Sequence, residues 1–262
     1  MTLLSRTTVR HIEPSDVERA AALLASTVDP AASGLVPYHA SGFARFLAAG
    51  LAPPPSRRTV LLRTLGDGTV ADWRVAPRSL LLQGLSGDGA RLLADGFALA
   101  TALGRSSVTV HVGPDDRAVA LYRCAGFVSS GDESWVDVPL RAGPGSGLRV
   151  VDWPRFVATR DAYGFADLTV AADDGTAHHV QVSGAALRVG PALRGHPGLA
   201  GLAEFVGAGR AYTVIAGAAP HPFVTFLRMT RTISFPFGAR SFAFGSRSSA
   251  RRSRSFAFGP RR

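Results

Sequence analysis

Tyr122 is the side chain whose surroundings point most directly to chemistry. It lies in Asp115-Asp116-Arg117-Ala118-Val119-Ala120-Leu121-Tyr122-Arg123-Cys124-Ala125-Gly126-Phe127, after an apolar run, Val108–Val112, and a Gly113-Pro114 turn. The run reads as a buried strand, and the stretch after the turn as a short helix. Asp115 or Asp116 can cap that helix and place negative charge at its positive end. Ala118, Leu121 and Tyr122 recur at helical spacing, and Gly126 suits the left-handed residue that closes a helix. A phenol on the inner face of such a helix, beside a strand end, is a proton donor within reach of a ligand. Cys124, the single cysteine, has no recognisable His partner and reads as packing. His178 and His179 are adjacent in a strand pattern and point to opposite faces, so a shared metal is not expected and no metal site is assigned.

Charge narrows the possibilities. Residues 1–142 hold 14 Arg against 13 acids, residues 143–227 hold 6 against 6, and residues 228–262 hold 9 Arg and no acid. The +10 total therefore belongs to the C-terminal end rather than to the body. All 29 basic residues are Arg, which excludes a Schiff-base lysine and a P-loop lysine. One cysteine excludes an intrachain disulfide framework and fits a reducing, cytoplasmic setting. The first residues carry no long apolar region behind a basic start, and no apolar run approaches the roughly 20 residues that span a bilayer, so neither a secretory signal nor a membrane role is expected.

The elements that must position Tyr122 follow from periodicity. Residues 7–12 alternate as a strand, and residues 17–26 form a helix with Ser15 as cap and Glu18 as its capping-box partner. Residues 41–49 form a second amphipathic helix. Residues 58–65 and 69–75 flank Gly66-Asp67-Gly68 as a hairpin, and residues 79–85 read as a central strand. Ser86-Gly87-Asp88-Gly89 is a glycine-rich turn, and residues 90–103 are a helix with Leu92, Leu93, Phe97, Ala100 and Leu103 on one face. The strand of residues 108–112, the Tyr122 helix and a strand at 134–138 complete the order.

Residues 7–140 resemble the GNAT (GCN5-related) N-acetyltransferase family, which moves an acetyl group from acetyl-CoA to an amine. The family pattern Asn-x-x-Ala-x-x-Leu-Tyr-x-x-x-Gly-Phe is met by Ala118, Leu121-Tyr122 and Gly126-Phe127, with Asp115 in the Asn position. The resemblance implies an α/β fold with a central mixed β-sheet flanked by helices, and acetyl-CoA as co-substrate with no metal. It also implies Tyr122 as the general acid that protonates the departing thiolate. The family's pyrophosphate loop falls on Leu85, Ser86, Gly87, Asp88, Gly89 and Ala90, where helix N-terminal amides bind an anion. Gly84 stands where Gln or Arg is usual, Asp88 adds an acid, and the segment is shorter than the family's. Asp115 completes the expected cofactor-binding set. Asp72, His111 and Glu133 have the right types for a general base, and none is singled out. The implied acceptor is a small-molecule or peptide amine.

Residues 141–147 read as a linker and residues 148–232 as a small α+β module, similar to a reduced second GNAT copy that lacks the glycine loop and the Leu-Tyr motif. Residues 233–262 repeat Ser-Phe-x-Phe-Gly at 234–238, 241–245 and 255–259 among Arg and Ser. Such a tail is expected to stay disordered, and its Arg and Phe could bind nucleic acid. Two further readings are a catalytically degenerate GNAT-like protein with an interaction role, and nucleic-acid binding through this tail.

Overall fold

Strand alternation and helical periodicity resolve, in the computed structural model, into twelve strands and six α-helices over residues 8–53, 60–66, 68–141 and 147–234. Asp67, most of the linker and the repeats of the tail beyond Ser234 lie outside these described residues. The first half runs β1 (Arg10–His11), α1 (Val17–Ala25), α2 (Phe43–Leu51), β2 (Val60–Thr64), β3 (Val70–Val75), β4 (Ser79–Ser86), α3 (Gly89–Ala102), β5 (Ser107–Val112), α4 (Ala118–Cys124) and β6 (Val128–Val138). The second runs β7 (Arg149–Val150), α5 (Trp153–Tyr163), β8 (Phe165–Ala171), β9 (Ala177–Ser183), β10 (Ala186–Val189), α6 (Leu199–Phe205), β11 (Arg210–Ala216) and β12 (Val224–Thr232). No helix among the described residues is long and apolar enough to cross a membrane.

Local chemistry explains the helix ends. The capping box closes on the 3-10 turn Pro14–Asp16 that leads into α1, between Glu13 and Asp16, not between Ser15 and Glu18: Asp16 Oδ2 accepts from the Glu13 N–H at 2.8 Å. Asp16 also accepts from Arg10 and Arg19, which hold its carboxyl below the usual range. At α4 it is Asp116 that caps, accepting from the Ala118 N–H at 2.8 Å. Gly126, at φ 82°, closes the helix in a Schellman arrangement: its N–H reaches Arg123 O, and the Phe127 N–H reaches Tyr122 O.

All twelve strands belong to one mixed sheet, in the order β1-β2-β3-β4-β5-β12-β6-β11-β10-β9-β8-β7. Adding or subtracting six from every number reverses this order and leaves it unchanged, so the two halves repeat one topology about a pseudo-twofold axis. The sixth strands have exchanged places. β12 lies between β5 and β6, pairing antiparallel with both, and β6 pairs with β11 of the second half. The segment read as a separate module after residue 148 therefore completes the sheet of the first half. Without β12, β5 would present an open edge beside its parallel partner β4.

The core follows the sheet. Under α3 and α4 pack Trp73, Leu80, Leu82, Leu92, Leu93, Val108, Val110 and Val112, joined by Met229 of β12, which is 1% exposed. On the other face α1 and α2 bury Leu24, Phe43 and Leu47 against Leu62 and Val70, together with Phe165 from β8. A third cluster lies in the second half around Phe156, Leu168 and Leu187, joined by Val138 of β6. α3 approaches β3 closely because residue 96 is glycine; a Cβ there would lie 2.2 Å from Trp73 Cζ2.

Two outcomes follow. A fragment ending at residue 140 should show no cooperative thermal transition by circular dichroism, whereas the full chain should melt in one transition seen alike by ellipticity and tryptophan fluorescence. A cooperative melt of the fragment would contradict the shared sheet. Gly96→Ala should destabilise the full chain by about 1–3 kcal/mol through overpacking against Trp73, read from urea midpoints.

Candidate active site

The site begins with one extra residue in β4. Across the β3–β4 ladder Asp72 faces Gly84 and Trp73 faces Leu82, so Gln83 is left over as a β-bulge. On its other side β4 pairs parallel with β5 only from Ser79/Ser107 to Leu82/Val110, although β4 continues to Ser86 and β5 to Val112. Beyond Leu82 the two strands part. The opening holds a cavity of about 570 Å³ lined by Gln83, Gly84 and Leu85 of β4, His111 and Val112 of β5, Ala118 and Tyr122 of α4, and Phe226 of β12. Its rim is formed by Ser26–Pro30 after α1 and by Gly113–Asp116 before α4.

Tyr122 enters from the face covered by α3 and α4. It is 5% exposed, its ring stands edge-on to Phe127 at 5.5 Å, and its backbone carbonyl is held by the Phe127 N–H. Among the described residues its hydroxyl has no hydrogen-bond partner. Burial, with a smaller contribution from the Asp116 charge, pushes the phenol well above its ordinary value, so it stays protonated.

His111 enters from the opposite face. Val108, Val110 and Val112 point into the core, and strand alternation turns Thr109 and His111 the other way. His111 Nε2 lies 3.4 Å from Glu133 Oε2 on β6, and Glu133 Oε1 accepts from Trp135 Nε1–H at 3.1 Å. β12 runs between them and sets Arg228 opposite His111 and Phe226 opposite Glu133. Ser130 holds the Arg228 guanidinium through its hydroxyl and its carbonyl, at 3.2 and 2.9 Å. Burial lowers the His111 pKa, Arg228 and Arg188 lower it further, and Glu133 opposes them. A neutral imidazole and a protonated phenol thus line one cavity from the two faces of the sheet, an arrangement able to accept a proton on one side and donate one on the other.

The loop after α1, which borders this cavity, rests on the second half. Residues 29–40 form two short 3-10 turns, Pro30–Ala32 and Pro37–His39, and the Leu35 carbonyl accepts from the buried Tyr212 hydroxyl at 2.9 Å. Trp135 stacks on Tyr212 at 5.3 Å. Burial raises the Tyr212 pKa to about 12, so this donor persists at any physiological pH.

Of the residues named from the sequence, the cavity gathers Tyr122, His111, Leu85 and Asp115. Glu133 joins through His111. Asp72 does not line it: this carboxyl is 0% exposed, accepts from Tyr38 Oη at 3.1 Å and Arg74 at 3.0 Å, and leaves Oδ1 unpartnered. Burial raises its pKa. Ser86, Gly87, Asp88, Gly89 and Ala90 also lie off the cavity wall. Ser86 pairs with Val70 of β3. Gly87 has φ 83°, and a Cβ on it would lie 2.4 Å from Gly68 O. A Cβ on Gly89 would lie 2.6 Å from Leu121 Cδ2. Asp88 caps α3, accepting from the Arg91 N–H at 3.4 Å. These glycines therefore admit close packing of the hairpin and α4. The parted strands leave β4 backbone released from β5 on the cavity wall, with the Tyr122 phenol beside it, and the Gly87–Gly89 turn lies outside that wall.

Cys124 is exposed rather than packed, because it falls two residues from Tyr122 on the far side of α4. Phe226 and Arg228 were not foreseen. They follow β11 in the second half, and only the exchange of sixth strands brings them here.

No family model matches the sequence, and no curated protein matches it. Among solved structures the chain is similar to a proposed acetyltransferase from Pyrococcus horikoshii (TM-score 0.58, 12% identity, covering 89% of this chain and 92% of that one). It is also similar to a GCN5-related N-acetyltransferase from Sphaerobacter thermophilus (TM-score 0.56, 14% identity, 88% and 97% covered). A tandem GNAT protein from the clavulanic acid biosynthesis pathway matches at TM-score 0.53 and 16% identity, with 87% and 99% covered. Each likeness extends over both halves, and each is a likeness of fold.

The electrostatics give a direct expectation. The His111 imidazole, followed by NMR, should titrate with a midpoint below 6.5. Glu133→Gln removes the charge that favours imidazolium and should move the midpoint down; Arg228→Gln removes an opposing charge and should move it up. A wild-type midpoint above 6.5 would contradict the assignment.

Proposed function

We propose that this chain, which has the fold of the GCN5-related N-acetyltransferases, is an acyltransferase that moves an acetyl group from acetyl-CoA to a primary amine of a small molecule or peptide. The observation that carries this reading is the Tyr122 hydroxyl, buried, protonated and without a partner, on the wall of the gap between β4 and β5. The thioester supplies an activated acyl carbon. With Nε2–H directed at Glu133, the His111 Nδ1 lone pair is left to take a proton from the amine nitrogen as its bond to carbon forms. A weak base suffices then, because that nitrogen becomes acidic only once it has attacked. Tyr122 gives its hydrogen bond to the sulfur as the carbon–sulfur bond breaks, a charge that exists only late in the reaction. Its raised pKa ensures that the proton is present, and the dry surroundings that raise it also raise the proton affinity of the leaving thiolate.

The rim at Ser26–Pro30, at the start of the loop whose Leu35 carbonyl Tyr212 holds, faces the acceptor. An exposed, unpaired Cys124 suits a reducing compartment, and we place the protein in the cytoplasm. A second reading, a GNAT-like protein that has lost catalysis and kept an interaction role, is favoured by one observation: the Gly87–Gly89 turn does not line the cavity.

Tyr122→Phe separates the two. It should lower kcat by about 10²–10⁴-fold while changing the donor Kd, by calorimetry, by less than about threefold. Equal turnover of the two proteins would reject Tyr122 as the acid, and no donor binding by either would favour the degenerate reading.

A further inference from the structure

We propose that the site recognises its acyl donor by the pantetheine thioester arm alone and gives no binding energy to the nucleotide diphosphate of coenzyme A. This rests on the acyltransferase reading and narrows it to a class of donor: thioesters of pantetheine, whatever is attached at the far end of the arm.

Two features point the same way. At the N-terminus of α3, where backbone amides would greet a diphosphate, Asp88 already accepts from the Arg91 N–H. Its carboxylate places a negative charge of the chain's own at the positive end of the helix. The charge at the rim is the second feature. Asp29, Asp115 and Asp116 line the cavity, and no arginine does so among the described residues. Asp29 Oδ1 accepts from the Ala31 N–H and Asp116 Oδ1 from the Ala118 N–H, so backbone geometry holds both carboxylates in place. A diphosphate and a ribose phosphate brought to this rim would meet like charge, which disfavours binding.

The inner part of the site keeps what the arm needs. The strands part after Leu82 and Val110, Leu85, Val112 and Ala118 give an apolar wall, and Tyr122 waits with a free hydroxyl. The reaction there is complete in itself. The amine nitrogen bonds to the acyl carbon, the carbon–sulfur bond breaks, the sulfur leaves as a thiol with one proton, and the nitrogen gives up one proton. No step involves the nucleotide.

The test compares initial rates of thiol release by the full-length protein, at a fixed primary amine, with acetyl-CoA, acetyl-3′-dephospho-CoA and S-acetylpantetheine. The expected result is kcat/KM values within about fivefold of one another, and no inhibition by millimolar adenosine 3′,5′-diphosphate. Asp115→Arg should raise the ratio of kcat/KM for acetyl-CoA over S-acetylpantetheine by about tenfold, by replacing repulsion with a phosphate partner. A preference of about 100-fold or more for acetyl-CoA in the wild type, or competitive inhibition by the nucleotide, would overturn the proposal and leave the acyltransferase reading standing. Failure of all three donors, with binding of none, would overturn that reading and this proposal with it.

Discussion

The hydrogen bonds between β4 and β5 stop at Leu82 and Val110, and the rest of the site depends on where they stop. Gln83, the bulged residue, bends β4 away from its parallel partner while β3 continues to hold it through Gly84, Leu85 and Ser86. Parallel strands in such a sheet are normally buried on both faces with every ladder position filled. Here the unfilled positions face a cavity, and the two residues fit for proton transfer reach it from opposite faces because one stands on α4 and the other on β5 itself. A β4 that kept register past Leu82 would close the gap and separate Tyr122 from His111.

The same site shows why the chain is twice the length its first motif requires. β12 is the direct neighbour of β5, so the strand carrying His111 is fixed by the last described strand of the chain. Glu133 comes from β6, Arg228 and Phe226 from β12, and the rim after α1 leans on Tyr212 of β11. The second half has kept the β-topology and the α1-like helix of the first, but between β11 and β12 it has no helix corresponding to α4. In this chain it serves as the frame that seats His111 and the loop after α1.

Much of this was legible in the residues. Helical spacing and alternation located β4, α3, β5 and α4 to within a few positions, whereas β6, read as starting at 134, starts at Val128 and carries Glu133; the Leu121-Tyr122 and Gly126-Phe127 pattern marked the helix that carries Tyr122. Local signals were ambiguous where a residue has two possible uses. Gly87 and Gly89 read as an anion turn, and glycine there also lets the hairpin and Leu121 pack closely. Asp88 read as an intruding charge and is a helix cap. His111 had the right type but could not be singled out, because the groups that tune it lie on strands distant in the chain. The exchange of β6 and β12 leaves no local signature, since either strand would alternate in the same way in its own half.

The central claim is that the gap between β4 and β5 passes an acyl group to an amine. The most direct measurement is the rate of free thiol release from an acetyl thioester by the wild-type protein, with and without a panel of primary amines, with the amide product followed by mass spectrometry. The account predicts release that rises and saturates with amine concentration, matched mole for mole by amide. Thiol release indifferent to amine, with no amide formed across the panel, would contradict it.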